Sequence, residues 1–474
     1  MSTKDRRVAI IGGGPVGLAA AAHALERKLN PIVLEAGPAI GHAVRQWGHV
    51  RMFSPWEYNV DRAAGRLLTA SGWNSPDPQQ YPTGDELVER YLEPLATRTA
   101  LKDHIQTSSR VTAISRLGFD KVKTKGREHA PFEIRYQNGA GPKTIYADAV
   151  IDASGSWSSP NAAGANGLDA VGESAAHARI AYAMPDVLNR GRARYAGRTV
   201  AVVGAGHSAV GTLIDLIRLQ DESPATQVIW LVRGDNPSKA FGGGANDKLV
   251  ARGQLGAKLA QLVAQGRLQV EAGFRVNHIA LAEDRLCIGA PEADGRHVTA
   301  DELIVATGFR PNLSYLRELR IALDPALECP TALAPLIDPN EHSCGTVRPH
   351  GALELAQPET GFYFAGMKSY GRAPTFLMLT GYEQVRSIIA DIDGDSAAAA
   401  RVELVLPETG VCGRPVAGVE EAECCGGSAK QDASSCCVAD EEAKAATGAG
   451  CGCSSQASVS APKEKAKAKA ACCG

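Results

Sequence analysis

Apolar residues in this chain gather in runs of four or five that stop at a glycine, and the first such run opens a unit that recurs. Val8 to Ile11 reads as a short buried strand, and "GGGPVG" follows it as a tight turn. "LAAAAHAL" continues as an apolar helix, and "PIVLE" closes the unit as a second strand. Gly12, Gly14 and Gly17 fill the G-x-G-x-x-G positions. There glycine allows a tight turn, a close approach of backbone to a pyrophosphate, and contact of helix with strand. The helix start presents free N–H groups and a positive dipole end to phosphate. Glu35 ends the second strand, where a carboxylate accepts from adenosine ribose hydroxyls.

The same unit returns in "RTVAVVGAGHSAVGTLIDLIRL" and "TQVIWLVRGD". Gly204, Gly206 and Ala209 hold the three positions, with Ser208 in the first helical turn as a further cofactor contact. Here the second strand, Val228 to Val232, runs into Arg233 in place of an acid. A guanidinium pairs with a 2′-phosphate that a carboxylate would repel, so this unit reads as a site for NADPH, with Lys239 assisting. Two more apolar runs, "DAVIDASGSW" and "DELIVATGFRPN", end in a small residue and glycine, as crossings between two domains do. In "GFYFAGMKSYGRAPTFLMLTGYEQVRSII" a strand through Phe364 leads to Gly366 and Met367, with Pro374 expected in the first turn of a helix.

Composition narrows the class. The chain has 474 residues, 44% hydrophobic and 22% charged, with a formal net charge of -2. That balance gives no electrostatic reason to expect nucleic acid or an anionic membrane as partner. The first apolar run is broken by glycines and lacks the flanks of a signal peptide or the length of a membrane span, so a cytoplasmic location is expected. Thiols stay reduced there.

The cysteines are unevenly spread. Cys287, Cys329 and Cys344 are the only ones in the first 411 residues, and nine more follow in the last 63. Cys287 lies in an apolar strand and reads as core. Cys329 and Cys344 sit in a loop rich in Pro, Asn, Asp and Gly, with His342 and His350 near them. Two thiolates beside an imidazole base suit a thiophilic substrate, and two buried core thiols are the alternative. From Cys412 onward only four valines stand among the larger aliphatics, so the tail is expected to be disordered. Its thiols come as Cys424 with Cys425, Cys436 with Cys437, Cys451 with Cys453, and Cys472 with Cys473. Zinc ribbons use C-x-x-C pairs, whereas adjacent thiolates suit soft ions with few ligands.

The two glycine units, the two crossings and the "GFYFAGMKSYG" segment together resemble the two-dinucleotide-binding-domain flavoproteins. The resemblance implies an α/β fold of two Rossmann-like domains. An FAD-binding domain (1–160 and 301–406) would carry an inserted NADPH-binding domain (161–300), followed by the cysteine-rich tail (407–474). Gly12, Gly14, Gly17, Glu35, Trp47, Gly366 and Met367 would then hold FAD. Disulfide reductases of this fold carry a dithiol beside the flavin, and this chain has no cysteine before Cys287 to supply one. "YPTGDELVERYLEPLA" and "RQWGHVRMFSPWEYN" resemble flavin-containing monooxygenases, although "LDAVGESAAHARIAY" spaces Gly172 and His177 one residue wider than their F-x-G-x-x-x-H signature.

Adding "ECPT", "HSCGTVRPHG" and the thiol tail, the chain looks like the flavin-dependent monooxygenases of bacterial arsenic-resistance operons. That resemblance implies oxidation of trivalent metalloids (arsenite, methylarsenite, antimonite) by NADPH and molecular oxygen through a peroxyflavin. Cys329 and Cys344 would hold As(III) or Sb(III) at the flavin, and the tail thiols would collect it. Two rival enzyme readings are a metal reductase of mercuric-reductase type, suggested by the terminal "ACCG", and a monooxygenase acting on sulfur or nitrogen of small molecules.

Overall fold

The first glycine unit folds as its pattern requires. Arg7–Ile11 and Asn30–Leu34 are parallel strands in direct register, Ile11 opposite Leu34. The helix Pro15–Glu26 joins them, with proline at its start. Its alanines at 19, 20, 21, 22 and 24 are fully buried, and their small size lets the helix lie close between the sheet and the long helix Met378–Asp393. The second unit repeats this with strands Thr199–Val203 and Gln227–Val232 around the helix His207–Glu222. That helix buries Ala209, Leu213, Leu216 and Ile217 on one face, the spacing of an amphipathic helix. The structure is a computed structural model and describes residues 6–242, 247, 249–341, 347–374 and 376–404.

Each unit seeds a five-stranded parallel sheet. The first runs in the order Phe362–Phe364, Ala149–Asp152, Arg7–Ile11, Asn30–Leu34, Ile105–Gln106. The second runs Gln269–Ala272, Gln227–Val232, Thr199–Val203, Glu302–Val305, Ile180–Tyr182. A three-stranded antiparallel sheet accompanies each, Arg110 to Ala147 in the first lobe and His278 to Ala300 in the second. The architecture is α/β with two doubly wound lobes, the second inserted in the first. One boundary moves. Glu302–Val305 pairs with Thr199–Val203 and completes the second sheet, so the chain returns to the first lobe after Val305 and not at residue 301. The strand is wholly buried, and its place between two parallel neighbours supplies hydrogen bonds to both edges.

The two crossings lie against each other. Pro160 and Phe309 form an isolated antiparallel bridge, and the Asn161 N–H donates to the Gly308 carbonyl at 2.9 Å. Thr307 Oγ1 donates to the carbonyls of Asn161 and Ala162 across the same ribbon.

The antiparallel sheet of the first lobe is anchored by a buried ion-pair network. Glu359, just before the last strand of the first sheet, accepts from Arg116 Nε and from Arg127 at 2.8 Å each, with all three side chains 3% exposed. Burial alone would raise the Glu359 pKa. The Arg127 and Arg116 guanidiniums and the Arg320 N–H outweigh burial and hold it below its ordinary value. Removing one member of a buried ion pair costs about 3–5 kcal/mol, because the partner charges remain buried. Glu359→Gln is therefore expected to lower the melting temperature at pH 7. A depressed carboxylate contributes stability fully above its unfolded pKa of about 4.3 and loses it as pH falls through the folded value. The gap in melting temperature between wild type and variant should therefore close as pH drops below that range, and a gap independent of pH would refute the assignment.

Candidate functional site

Both glycine turns stand at the carboxyl ends of their sheets and are held by equivalent hydrogen bonds. The Gly12 N–H donates to the Leu34 carbonyl and the Gly204 N–H to the Leu231 carbonyl. On the other side, the N–H groups of Ala153 and Ala306 donate to Ile11 and Val203. Gly12 and Gly204 have φ of +105° and +134°, a region L side chains avoid. At Gly12 a Cβ would meet the Ala153 carbonyl at 2.7 Å, and at Gly17 it would run into the Gly12 carbonyl oxygen. At Gly14 and Gly206, by contrast, a Cβ would meet nothing within 4 Å, and neither helix start receives a side-chain cap. Open space in front of an uncapped helix start, behind a turn of positive φ, fits a dinucleotide diphosphate.

Glu35 is half-buried, and its two carboxylate oxygens accept from the N–H groups of Gly13 at 2.7 Å and Gly37 at 2.6 Å. An ionised carboxylate offers about four acceptor positions, so each oxygen keeps one for a ribose hydroxyl. These bonds fix the carboxylate at the mouth of the turn. In the second lobe Arg233 follows the strand end and is exposed, with one Nη donating to the Ala165 carbonyl at 3.2 Å. Lys239 is exposed in the short turn Pro237–Phe241 close in sequence, and Ser208 lies half-buried in the first turn of its helix. The residues present therefore fit two dinucleotides.

Gly366 and Met367 sit where the last strand of the first sheet ends. Gly366 is buried at φ +67°, its N–H donates to Gln384 Oε1 at 2.8 Å, and a Cβ there would press on the Val16 side chain at 3.3 Å. A short turn, Gly366–Tyr370, intervenes before the helix, which begins at Met378. Pro374 thus precedes the helix instead of opening it, because the chain spends these residues on the turn. Trp47 is half-buried and stands 6.5 Å from Trp157, which in turn stacks with Phe309 at 5.0 Å. The Trp157 indole N–H donates to Gln46 Oε1 at 2.7 Å. This aromatic row lines the ribbon where the chain crosses between lobes. Trp56, by contrast, is 2% exposed and belongs to the core.

The cysteines separate. Cys329 is fully buried in the main core, its carbonyl accepting from the Asp324 N–H. Burial first, then the charge of Asp324, pushes its thiol pKa up to about 12. To act as a metalloid ligand it would have to give up both its proton and its packing. Cys287 is half-buried on the antiparallel sheet of the second lobe. Cys344 and His342 lie outside the described residues, as do Cys424, Cys425, Cys436, Cys437, Cys451, Cys453, Cys472 and Cys473. His350 is no free base for a thiol. Its Nδ1 meets the Arg348 carbonyl at 3.0 Å and its Nε2 meets Gln384 Nε2 at 2.9 Å, which makes it a neutral ring that donates to the first and accepts from the second. Burial lowers its pKa, in keeping with that state. Gln384 thus joins His350, Gly366 and Ser369 in one buried network that holds the last segment. Sequence reading missed this network, since a glutamine inside an amphipathic helix gives no local signal of the turn it supports. His177 is exposed, with its Nδ1 near the Ser174 carbonyl, a linker position. Among the described residues no helix is long and apolar enough to cross a membrane.

Comparison with known proteins agrees with this geometry. A family model described as pyridine nucleotide-disulphide oxidoreductase matches residues 9–334. Among curated proteins, flavin-containing monooxygenase FMO GS-OX-like 2 of Arabidopsis thaliana is 22% identical over 244 residues, 46% of this chain and 49% of its own. The chain spans about half the length, or less, of the curated relatives it matches. Among solved structures, bacillithiol disulfide reductase Bdr (YpdA) from Bacillus cereus superposes with a TM-score of 0.61 at 20% identity, covering 82% of this chain and 99% of that one. DfoA bound to FAD, the cadaverine monooxygenase from Erwinia amylovora, gives a TM-score of 0.57 at 14% identity, covering 86% and 99%. These likenesses show the fold of the two-dinucleotide-binding-domain flavoproteins.

Proposed function

We propose, because this chain belongs to the pyridine nucleotide-disulphide oxidoreductase family, that it is an FAD- and NADPH-dependent oxidoreductase working as a monooxygenase. The observation that carries the choice within the family is the missing relay. No cysteine precedes Cys287, and among the described residues Cys287 and Cys329 lie in different lobes, one on the second antiparallel sheet and one in the core of the first. Among the described residues, electrons therefore have no thiol pair to enter beside the flavin segment, and dioxygen is an acceptor that needs none. Similarity to a plant flavin-containing monooxygenase supports the same choice.

Bound FAD would supply the redox chemistry linking NADPH to dioxygen. The chain's own groups orient and enclose. The Gly12 turn and the start of helix Pro15–Glu26 hold one diphosphate, with Glu35 on the ribose. The Gly204 turn, Ser208 and Arg233 hold the other, the guanidinium on the 2′-phosphate. Gly366 and Met367 would hold the flavin end of the dinucleotide, and Trp47, Trp157 and Phe309 would shield the crossing.

The substrate class we propose is a soft trivalent metalloid such as As(III) or Sb(III). Support comes from the sequence: four close cysteine pairs in the tail and Cys344 in the loop after Cys329. Of the two loop thiols, Cys329 is buried with its pKa raised, which argues against it as the ligand. In the overall reaction NADPH gives a hydride, one oxygen atom bonds to the metalloid lone pair, and the other leaves as water with one added proton. A small-molecule sulfur or nitrogen centre is the second reading, favoured by the similarity to the plant monooxygenase.

NADPH oxidation by the FAD-loaded protein separates these readings. Arsenite, methylarsenite or antimonite should stimulate it, and only when oxygen is present. Stimulation by amines or thioethers alone would favour the second reading. Stimulation by mercuric ion without oxygen would overturn both in favour of a metal reductase.

A further inference from the structure

A cluster of buried ionisable groups sits at the carboxyl end of the first sheet, among residues given no role above. Asp152 ends the strand Ala149–Asp152, Tyr315 lies on the short turn Ser314–Leu316 after the second crossing, and Lys368 comes two residues past Gly366. Lys368 Nζ is 2.7 Å from Asp152 Oδ2, and neither side chain has any exposure. The Tyr315 hydroxyl donates to the same carboxylate at 2.8 Å and accepts from the lysine. Ser154 completes the set, its hydroxyl donating to Asp152 Oδ1 at 2.8 Å and lying 3.1 Å from Lys368 Nζ.

Burying an ammonium and a carboxylate costs several kcal/mol per ion, so an apolar pair would stabilise this point of the core at least as well. What the ion pair adds to the strand pairing of Asp152 with Phe364 is a fixed side-chain geometry between segments far apart in sequence. The residues just after Asp152, Ala153 and Ser154, form the backbone on which Gly12 sits, at 2.7 Å from where its Cβ would be. Gly366, two residues before Lys368, rests on Val16 in the first turn of the diphosphate-binding helix. The pair therefore joins the diphosphate turn to the flavin segment by two residues of chain on each side, and Tyr315 ties in the second crossing. Of its members only Ser154, on the side of the Gly12 turn, is exposed.

We propose that Lys368, Asp152 and Tyr315 form a positioning clamp that sets the Gly12 turn against the Gly366–Met367 segment and thereby tunes the affinity and reduction potential of the flavin. The clamp rests on the FAD reading above. Burial and then Asp152 keep the Tyr315 phenol well above its ordinary pKa, so it stays a donor. Burial lowers the Lys368 pKa and Asp152 opposes that shift.

The test is FAD titration of the full-length apoprotein, followed by flavin fluorescence quenching, alongside the apoprotein melting temperature and the reduction potential of the loaded protein. Tyr315→Phe removes one hydroxyl and unpairs no charge. It should still fold, with a melting temperature somewhat below wild type because buried Asp152 loses a donor, and should bind FAD about tenfold more weakly through the displaced turn. Its potential should move to more negative values, because Asp152 loses a donor that offsets its charge. The double substitution Lys368→Met with Asp152→Asn removes both charges together and should weaken FAD binding further. Tyr315→Phe with wild-type affinity and potential overturns the clamp. Failure of the wild-type apoprotein to bind FAD overturns the cofactor reading on which the clamp stands.

Discussion

Gly17→Val should yield a protein without flavin. A Cβ at this position would run into the carbonyl oxygen of Gly12, and the next neighbour is the Ile10 side chain at 3.5 Å. Neither can retreat. The Gly12 carbonyl belongs to a turn held by the Leu34 carbonyl on one side and backed by Ala153 on the other. Ile10 is fully buried in the central strand of the first sheet. The helix Pro15–Glu26 must therefore lift from the strand, which opens the alanine-lined contact and misdirects the helix start. Forcing volume into a well-packed core costs about 1–3 kcal/mol or more, and here it falls on the turn that faces the diphosphate. Purified Gly17→Val should show less than about a tenth of the wild-type flavin absorbance per chain and a lower melting temperature, in line with that cost. Full flavin content would show that this turn does not hold the cofactor. The equivalent position of the second unit is already Ala209, fully buried, so close contact there tolerates one methyl where the first unit tolerates none.

The second large effect is on the choice of reductant. Arg233→Glu replaces an exposed guanidinium at the end of Gln227–Val232 with the kind of residue found at Glu35 in the first unit. A hydrogen bond to a charged group contributes about 1.5–3 kcal/mol, and reversing the charge adds repulsion toward a 2′-phosphate. We expect kcat/KM for NADPH to fall about 100-fold, while that for NADH stays within a few-fold or rises. The loss should shrink at high salt, because the site is exposed and screened. Stopped-flow reduction of the bound flavin by each nucleotide measures this directly. Equal losses for NADPH and NADH would assign Arg233 to holding the loop through Ala165 and not to the phosphate.

How much of the structure could be read from the sequence follows from the range of the interactions. A glycine fingerprint is local: strand, turn and helix lie within about thirty residues, and Gly17 answers Gly12 close in sequence, although Gly12 itself answers the distant Ala153. The crossings were legible for the same reason, each being an apolar strand that ends in a small residue and glycine. The boundary at 301 was misplaced because "ELIV" reads as a buried strand in either sheet, and only its pairing with Thr199–Val203 decides between them. For Cys329 the sequence left two readings open, a substrate thiol or a core thiol, and packing in the first-lobe core makes it interior. The clamp of Asp152, Tyr315 and Lys368 left only one trace in the sequence, an acid and a base each placed inside an apolar run. Their partnership spans nearly half of the chain, which no local pattern can report.

The pairing of the two crossings also bears on the order in which the molecule is made. Phe362–Phe364 pairs with Ala149–Asp152, and the whole second lobe lies between them in the chain. On the ribosome the second lobe is therefore complete before the edge strand of the first has been synthesised. Until then Ala149–Asp152 has one neighbour, Arg7–Ile11, and an open edge that invites pairing with another chain. The entering and leaving ends of the second lobe are zipped side by side at Asn161 and Gly308, so once folded it holds the remaining residues near that open edge. The late-arriving strand then has a short search, and the entropy of closing so long a loop is largely met before the strand arrives.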